Sequence, residues 1–274
     1  MDTQIILVYC LCDDLLKAVR HYEDPQCGMS DAEVMTTAIV AARYFGGKHE
    51  SARQMLKEQG YIPKMVSKSQ FNRRLHRLET QFLMLFRVLG ETFKELNAES
   101  VYVIDSAPVL VCDNIRIKRS KLYTDESYRG YQASKRRYFY GLKIHLLVTK
   151  DHQPVEFFLS PASFSDVSAL EQFDFDLPAG SQIFADKAYN FYLVEDLLAE
   201  ANIELIADRK KNTTRPLPPW LHFFLRHYRN QVETAGSLIE RLLPKSIHAV
   251  TSHGFELKVI LFVLASSINC LLPA

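Results

Sequence analysis

Three acidic residues carry the chemistry for which this chain can be read. Asp105 follows Val101-Tyr102-Val103-Ile104 directly, and Asp186 follows Ile183-Phe184-Ala185. Both runs are apolar and built of strand-forming residue types. In an open α/β sheet, residues at strand ends gather at one edge, and sites form there. Glu233 lies in a stretch of helical pattern, where Arg229, four residues earlier, and Ser237, four later, share its face. Carboxylates brought together repel one another unless a cation sits among them. Hard oxygen donors of this kind suit Mg²⁺ or Mn²⁺. A pair of such ions can activate an attacking oxygen and stabilise the leaving one at a phosphodiester.

Each acid also has an ordinary reading. Asp105 can cap the turn before Pro108. Asp186 can pair with Lys187 or cap the helix after Tyr189. Glu233 can be a surface acid paired with Arg229, and Glu240, seven residues on, lies on much the same face and competes with it. His145 reads as a packed histidine more readily than as a ligand.

The elements that must position these acids follow from the patterning. Residues 3–22 carry an apolar helical stripe. Ser30-Asp31-Ala32-Glu33 is a capping box opening a helix that stops at Gly46-Gly47. Shorter helices are expected over Ser51–Gln59 and from Ser67 or Ser69 through Leu78, then a long one over 80–96. Residues 1–98 therefore read as an all-helical N-terminal region with a probable role at DNA ends, and 99–274 as an α/β domain ending in a helix. In that second part the pattern predicts a strand over Val101–Ile104, a basic loop over 109–137, and a hairpin over Tyr138–Thr149 and Val155–Ser160. A short helix over Asp166–Phe173, the strand Ile183–Ala185, a helix over Phe191–Ala201 and the strand Ile203–Ala207 come next. A basic loop over Arg209–Pro219 and helices from Phe223 to about Leu243 and over Phe255–Leu271 complete it. This order describes a mixed sheet flanked by helices.

The net charge is only +1, but the charges are segregated. Residues 64–77 carry five Lys/Arg and no acid, 116–137 carry eight against two acids, and 209–229 carry six and no acid, whereas 151–208 hold twelve acids and Lys187 alone. Blocks like these can face a polyanion even when the total is near neutral; singly, each also fits a solvated loop. The helix start Ser67–Leu75, with Arg73 and Arg74, is the most DNA-like part of the helical region. Five scattered cysteines form no disulfide framework, which points to a reducing, cytoplasmic compartment. Cys10, Cys12, His21 and Cys27 fit no zinc-finger spacing. The apolar run Val259–Ala265 is shorter than a membrane span and reads as a buried helix, so no membrane is expected.

Several stretches resemble bacterial DDE-type insertion-sequence transposases, and the insertion sequence 982 family in particular. They are Met29–Val34, Ser69-Gln70-Phe71-Asn72-Arg73-Arg74-Leu75, Ile104-Asp105-Ser106-Ala107-Pro108, Tyr140–Leu146, Ala185-Asp186-Lys187-Ala188-Tyr189 and Arg229-Asn230-Gln231-Val232-Glu233-Thr234, spanning nearly the whole chain. Ala188 replaces a common glycine, and Ala235-Gly236-Ser237 replaces a bulkier pattern. The resemblance implies a ribonuclease-H-like core with Asp105, Asp186 and Glu233 as metal triad, and favours Glu233 over Glu240. Asp105 would bridge two ions, with Asp186 and Glu233 holding one each. It implies hydrolysis at inverted-repeat ends of double-stranded DNA, then attack of the freed 3′-hydroxyls on target DNA. A homodimer acting on two ends is expected. Lys187 and Arg229 are candidates for phosphate contacts, Lys143 and His145 for approach to the site, Arg73 and Arg74 for end recognition, and Arg209, Lys210 and Lys211 for backbone contacts. Two other readings stand beside this: a nuclease of the same fold that never joins DNA, and a DNA-binding relative without catalysis.

Overall fold

The computed structural model describes residues 1–132, 135–209, 212–225, 228, 243–244 and 247–271. The chain divides into two compact units, Met1–Leu89 with Arg241–Ala274, and Gly90–Glu240.

The first unit is helical. It contains α1 (Asp2–Ala18), α2 (Asp31–Tyr44), α3 (His49–Glu58), α4 (Lys68–Arg77), the start of α5 (Glu79–Leu96) and the last helix, α9 (Ser252–Cys270). The predicted capping box is present: Glu33 donates its backbone N–H to Ser30 Oγ at 3.1 Å, and the Ser30 N–H reaches Glu33 Oε2 at 2.6 Å. Ser67 and Gln70 form a second box at the start of α4. α2 is buried almost all round, from Ala32 to Ala42. α9 is buried from Phe255 to Ile268 save for Glu256 and Lys258. It is long and apolar enough to cross a membrane by length and composition, and two-thirds of it is buried inside the protein. α2 ends at Gly46 and Gly47, both at positive φ; a Cβ on Gly47 would stand 2.9 Å from the Phe262 ring of α9. The sequence reading attaches the last helix to the α/β part and draws the boundary at 98. Here α9 groups with the N-terminal helices and the boundary falls inside α5, because α9 is apolar on every face and packs on the equally buried α2.

The second unit is a six-stranded mixed sheet with helices. Its strands are β1 (Val101–Asp113), β2 (Arg129–Gln132), β3 (Arg137–Thr149), β4 (Pro154–Pro161), β5 (Gln182–Ala185) and β6 (Glu204–Ala207). The order is β2-β3-β1-β5-β6, with β4 also on β3. β1, β3 and β4 run antiparallel, while β1, β5 and β6 run parallel. The helices are α6 (Asp166–Leu170), α7 (Tyr192–Glu200) and α8, described over 219–225.

Three sequence expectations are corrected. β1 does not stop at Ile104 but continues to Asp113, paired with β3, so much of the expected loop over 109–137 is strand. Its partner β5 ends opposite Ile104, which leaves one edge of β1 unpaired beyond that point, the setting in which Pro108 is tolerated within a strand. α6 ends at Leu170 rather than Phe173, and α8 begins at 219, before Phe223. The backbones of β1 and β3 approach closely at Gly141, where a Cβ would lie 2.2 Å from the Val109 carbonyl oxygen, beside a register shift at Leu110/Cys112.

Candidate active site

The parallel register builds the site. Ile104 of β1 pairs with Ala185 of β5, and the next residues along are Asp105 and Asp186. Paired residues of parallel strands point to the same face of a sheet. The register therefore sets Asp105 and Asp186 side by side where β5 ends. Both are half-buried. Each carboxylate is held by its own backbone: Ser106 N–H donates to Asp105 Oδ1, and Lys187 N–H to Asp186 Oδ1, both at 2.7 Å. Asp186 thereby caps the single 3₁₀ turn Lys187–Tyr189.

Tyr189, from that turn, is 1% exposed. Its hydroxyl is held well above the ordinary tyrosine range by burial first, and then by the negative charges of Asp166, Asp105 and Asp186. The three acids thus converge around one buried phenol. Asp166 opens α6 and is tied to the strand beside Asp105: Ser106 Oγ donates to Asp166 Oδ1 at 2.8 Å, and Lys143 Nζ reaches the same oxygen at 3.2 Å and the Phe164 carbonyl at 2.9 Å. Lys143 approaches the site as expected, but through Asp166 and not through the paired aspartates. His145 is the packed histidine that its residue type suggested. It is fully buried, stacked on Phe158 at 4.6 Å between ring centroids, and bonded through Nε2 to Ser160 Oγ at 2.9 Å. Burial pushes its pKa down to about 4.

β6 repeats the motif once more. Ala185 pairs with Ala207, and Asp208 follows. Its backbone N–H bonds the Ala185 carbonyl at 3.1 Å, and its Oδ2 takes Lys187 Nζ at 3.2 Å. Lys187 is thus paired with Asp208 and not with Asp186, while its side chain stays 53% exposed. Asp208 and Asp166 were missed in the sequence. Leu205-Ile206-Ala207-Asp208 repeats the strand-then-acid signal already used twice; Asp166 carries no such signal beyond following Ser165 at a helix start.

The other candidates separate clearly. Arg73 is exposed on α4. Arg74 is not available: its guanidinium bonds Asp31 Oδ1 (3.0 Å from Nε), Glu23 Oε1 (2.6 Å) and the Met29 carbonyl. Arg209 is equally committed, forked onto Glu195 and lying over the Tyr192 ring, with 9% of its side chain exposed. These two arginines are structural, because each sits beside carboxylates within its own unit. Glu233, Glu240, Arg229, Lys210 and Lys211 lie outside the described residues. Among the described residues no group of three His, Cys, Asp or Glu side chains is arranged to hold a metal ion. The described part of the helical stretch that precedes Glu233 includes Tyr228, whose ring meets Phe184 of β5 at 4.4 Å between centroids. Phe184 lies two residues before Asp186, on the same strand face.

Comparisons with known proteins agree with this geometry. Among solved structures the chain is similar to a piggyBac transposase in a synaptic complex with hairpin DNA, at 11% identity and a TM-score of 0.43, covering 97% of this chain and 73% of that one. No curated protein matches the chain. The family model described as a transposase DDE domain matches residues 95–248, more than half of the chain and the whole of the sheet that carries Asp105 and Asp186. On that match, the chain belongs to the DDE transposase family.

Proposed function

We propose that this protein is a transposase that cuts DNA at the ends of an insertion sequence and joins the freed 3′-hydroxyls to target DNA, with Asp105, Asp186 and Glu233 as its metal-binding acids. The observation that carries the reading is the β1–β5 register, which leaves two aspartates adjacent on parallel strands. Adjacent carboxylates are unfavourable without a cation, and their oxygens are the hard donors that Mg²⁺ or Mn²⁺ prefers. Two divalent ions bound here would supply an activated attacking oxygen and stabilise the leaving one. The protein's own part is orientation. Backbone N–H groups fix the two carboxylates, and Tyr189 and the Ser106–Asp166–Lys143 chain brace the strand between them. Lys187, exposed beside Asp186, is placed to exchange its Asp208 partner for a DNA phosphate. The mixed sheet is read as a ribonuclease-H-like core, with the insertion sequence 982 family as its nearest type, and a homodimer as the form that engages two ends.

The test is strand cleavage and joining on labelled duplex from the flanks of the gene, in Mg²⁺, Mn²⁺ or chelator. Metal-dependent nicking at a fixed position, followed by joined product and lost in Asp105→Asn, Asp186→Asn and Glu233→Gln, supports the reading. Nicking without joining would leave a nuclease. Salt-sensitive DNA binding with no cut by the wild type would leave a DNA-binding relative. Cleavage that survives in Glu233→Gln but not in Glu240→Gln would move the third acid.

A further inference from the structure

α8 exposes three large aromatic side chains in succession. Trp220 is 60% exposed, Phe223 70% and Phe224 42%, while Leu221 and Leu225 face inward and are buried. Monomeric surfaces rarely carry such a contiguous apolar group without a binding role. These rings are also the start of a row. Trp220 meets Phe224 at 6.3 Å and Phe223 meets Phe224 at 5.9 Å, both nearly edge to face. Phe224 stacks towards Tyr228 at 6.4 Å, and Tyr228 meets Phe184 at 4.4 Å. The row therefore runs from solvent to a residue two positions before Asp186.

We propose that Trp220, Phe223 and Phe224 form a stacking platform for unpaired DNA bases next to the catalytic carboxylates. The inference rests on the transposase reading above and adds a substrate feature to it. The choice of occupant comes from charge and ring type together. Residues 209–229, which include these aromatics, carry six Lys/Arg and no acid. An apolar protein partner has no need of that surround, whereas single-stranded nucleic acid offers a polyanionic backbone together with π-faces that stack on aromatic side chains. The row spans at most about 17 Å from Trp220 to Phe184, roughly five nucleotides at the spacing of a B-form strand. Bases unpaired within that distance of the cut phosphate are the ones the platform would hold.

Trp220 is the sole tryptophan of the chain, so its fluorescence reports the platform directly. The full-length protein would be titrated with a blunt duplex and with the same duplex carrying a five-nucleotide single-stranded end. Binding would be followed separately by the anisotropy of a dye on the DNA. The single-stranded end is expected to quench Trp220 by about twofold or more, and the blunt duplex to leave it nearly unchanged. Trp220→Leu should weaken binding of the single-stranded end roughly tenfold and of the blunt duplex less than about twofold; Trp220→Tyr, which keeps a ring, should restore most of the loss. Binding of the single-stranded end with Trp220 emission unmoved, or an equal loss for both DNAs in Trp220→Leu, overturns the platform and leaves the transposase reading standing. Emission that changes with protein concentration in the absence of DNA overturns it in favour of contact between two copies. Failure to bind either DNA overturns the transposase reading and the platform with it.

Discussion

Asp31 and Asp186 are the same residue type at similar places, each at the start of a helical turn, and the protein treats them in opposite ways. Asp31, in the helical unit, receives two nitrogens of Arg74 and lies 2.9 Å from His21 Nε2, with Glu23 on the same guanidinium. Its charge is neutralised within the fold, and it ties three stretches of one unit together. Asp186, at the end of β5, takes the backbone N–H of Lys187 and has no cationic side chain among the described residues, although Lys187 is its chain neighbour. A second aspartate stands beside it instead. An acid closed by arginine is a structural joint. An acid set against another acid, with only backbone donors, keeps coordination capacity for something the chain does not provide.

The largest effect that would break this contrast is on catalysis. Asp105→Asn and Asp186→Asn should each lower metal-dependent strand cleavage about a thousandfold, about 4 kcal/mol of barrier, while unfolding midpoints stay level or rise because repulsion is relieved. A lowered midpoint in either variant would make these acids structural too. Next comes Arg74→Met, which leaves Asp31 and Glu23 without their cation. The helical unit should lose about 3 kcal/mol, read as a shifted urea midpoint, with DNA affinity of the folded protein unchanged. Weakened DNA binding at constant stability would return Arg74 to the interface.

A third effect is pH dependence. His145 and His49 are both pushed down to about 4 by burial, so the fold holds them neutral while the unfolded chain protonates them nearer 6.5. The stability this confers is fully present above about pH 6.5 and is lost as pH falls towards 4, with a slope approaching about 1.4 kcal/mol per pH unit for each histidine. Urea midpoints measured across that window should flatten in His145→Gln if burial of the neutral ring is the cause. The smallest effect belongs to Arg73, exposed one residue before Arg74. Arg73→Ala should change stability by less than about 0.5 kcal/mol and reduce the slope of log affinity against log salt by about 1. A stability loss comparable to that of Arg74→Met would erase the distinction between the neighbours.

Much of the fold was legible because its signals are local. The capping box at Ser30–Glu33 needs four residues, and the strands before Asp105 and Asp186 need three or four apolar residues each. What was misread depended on distant partners. β1 beyond Ile104 contains Ser106, Ala107 and Pro108, a poor strand sequence that becomes strand because the long β3 pairs with it. α9 looked like the end of the α/β part because it follows it in sequence, yet its apolar surface groups with α2, more than 200 positions earlier.

The candidate site divides along the same line. By itself the sequence determined that acids stand directly after apolar strands, that positive charge is gathered in blocks, and that the motifs resemble those of DDE transposases. Those properties are written in neighbouring residue types, which periodicity and spacing can read. Only the tertiary structure decided which acids meet and which cations remain available. Strand order put Asp105 beside Asp186, β6 added Asp208, and α6 brought in Asp166. Long-range pairing also consumed Arg74 on Asp31 and Arg209 on Glu195 while leaving Arg73 exposed. Hydrogen bonds and ion pairs act over a few ångströms in space, whatever the number of residues between the partners, so spacing along the chain holds no record of them.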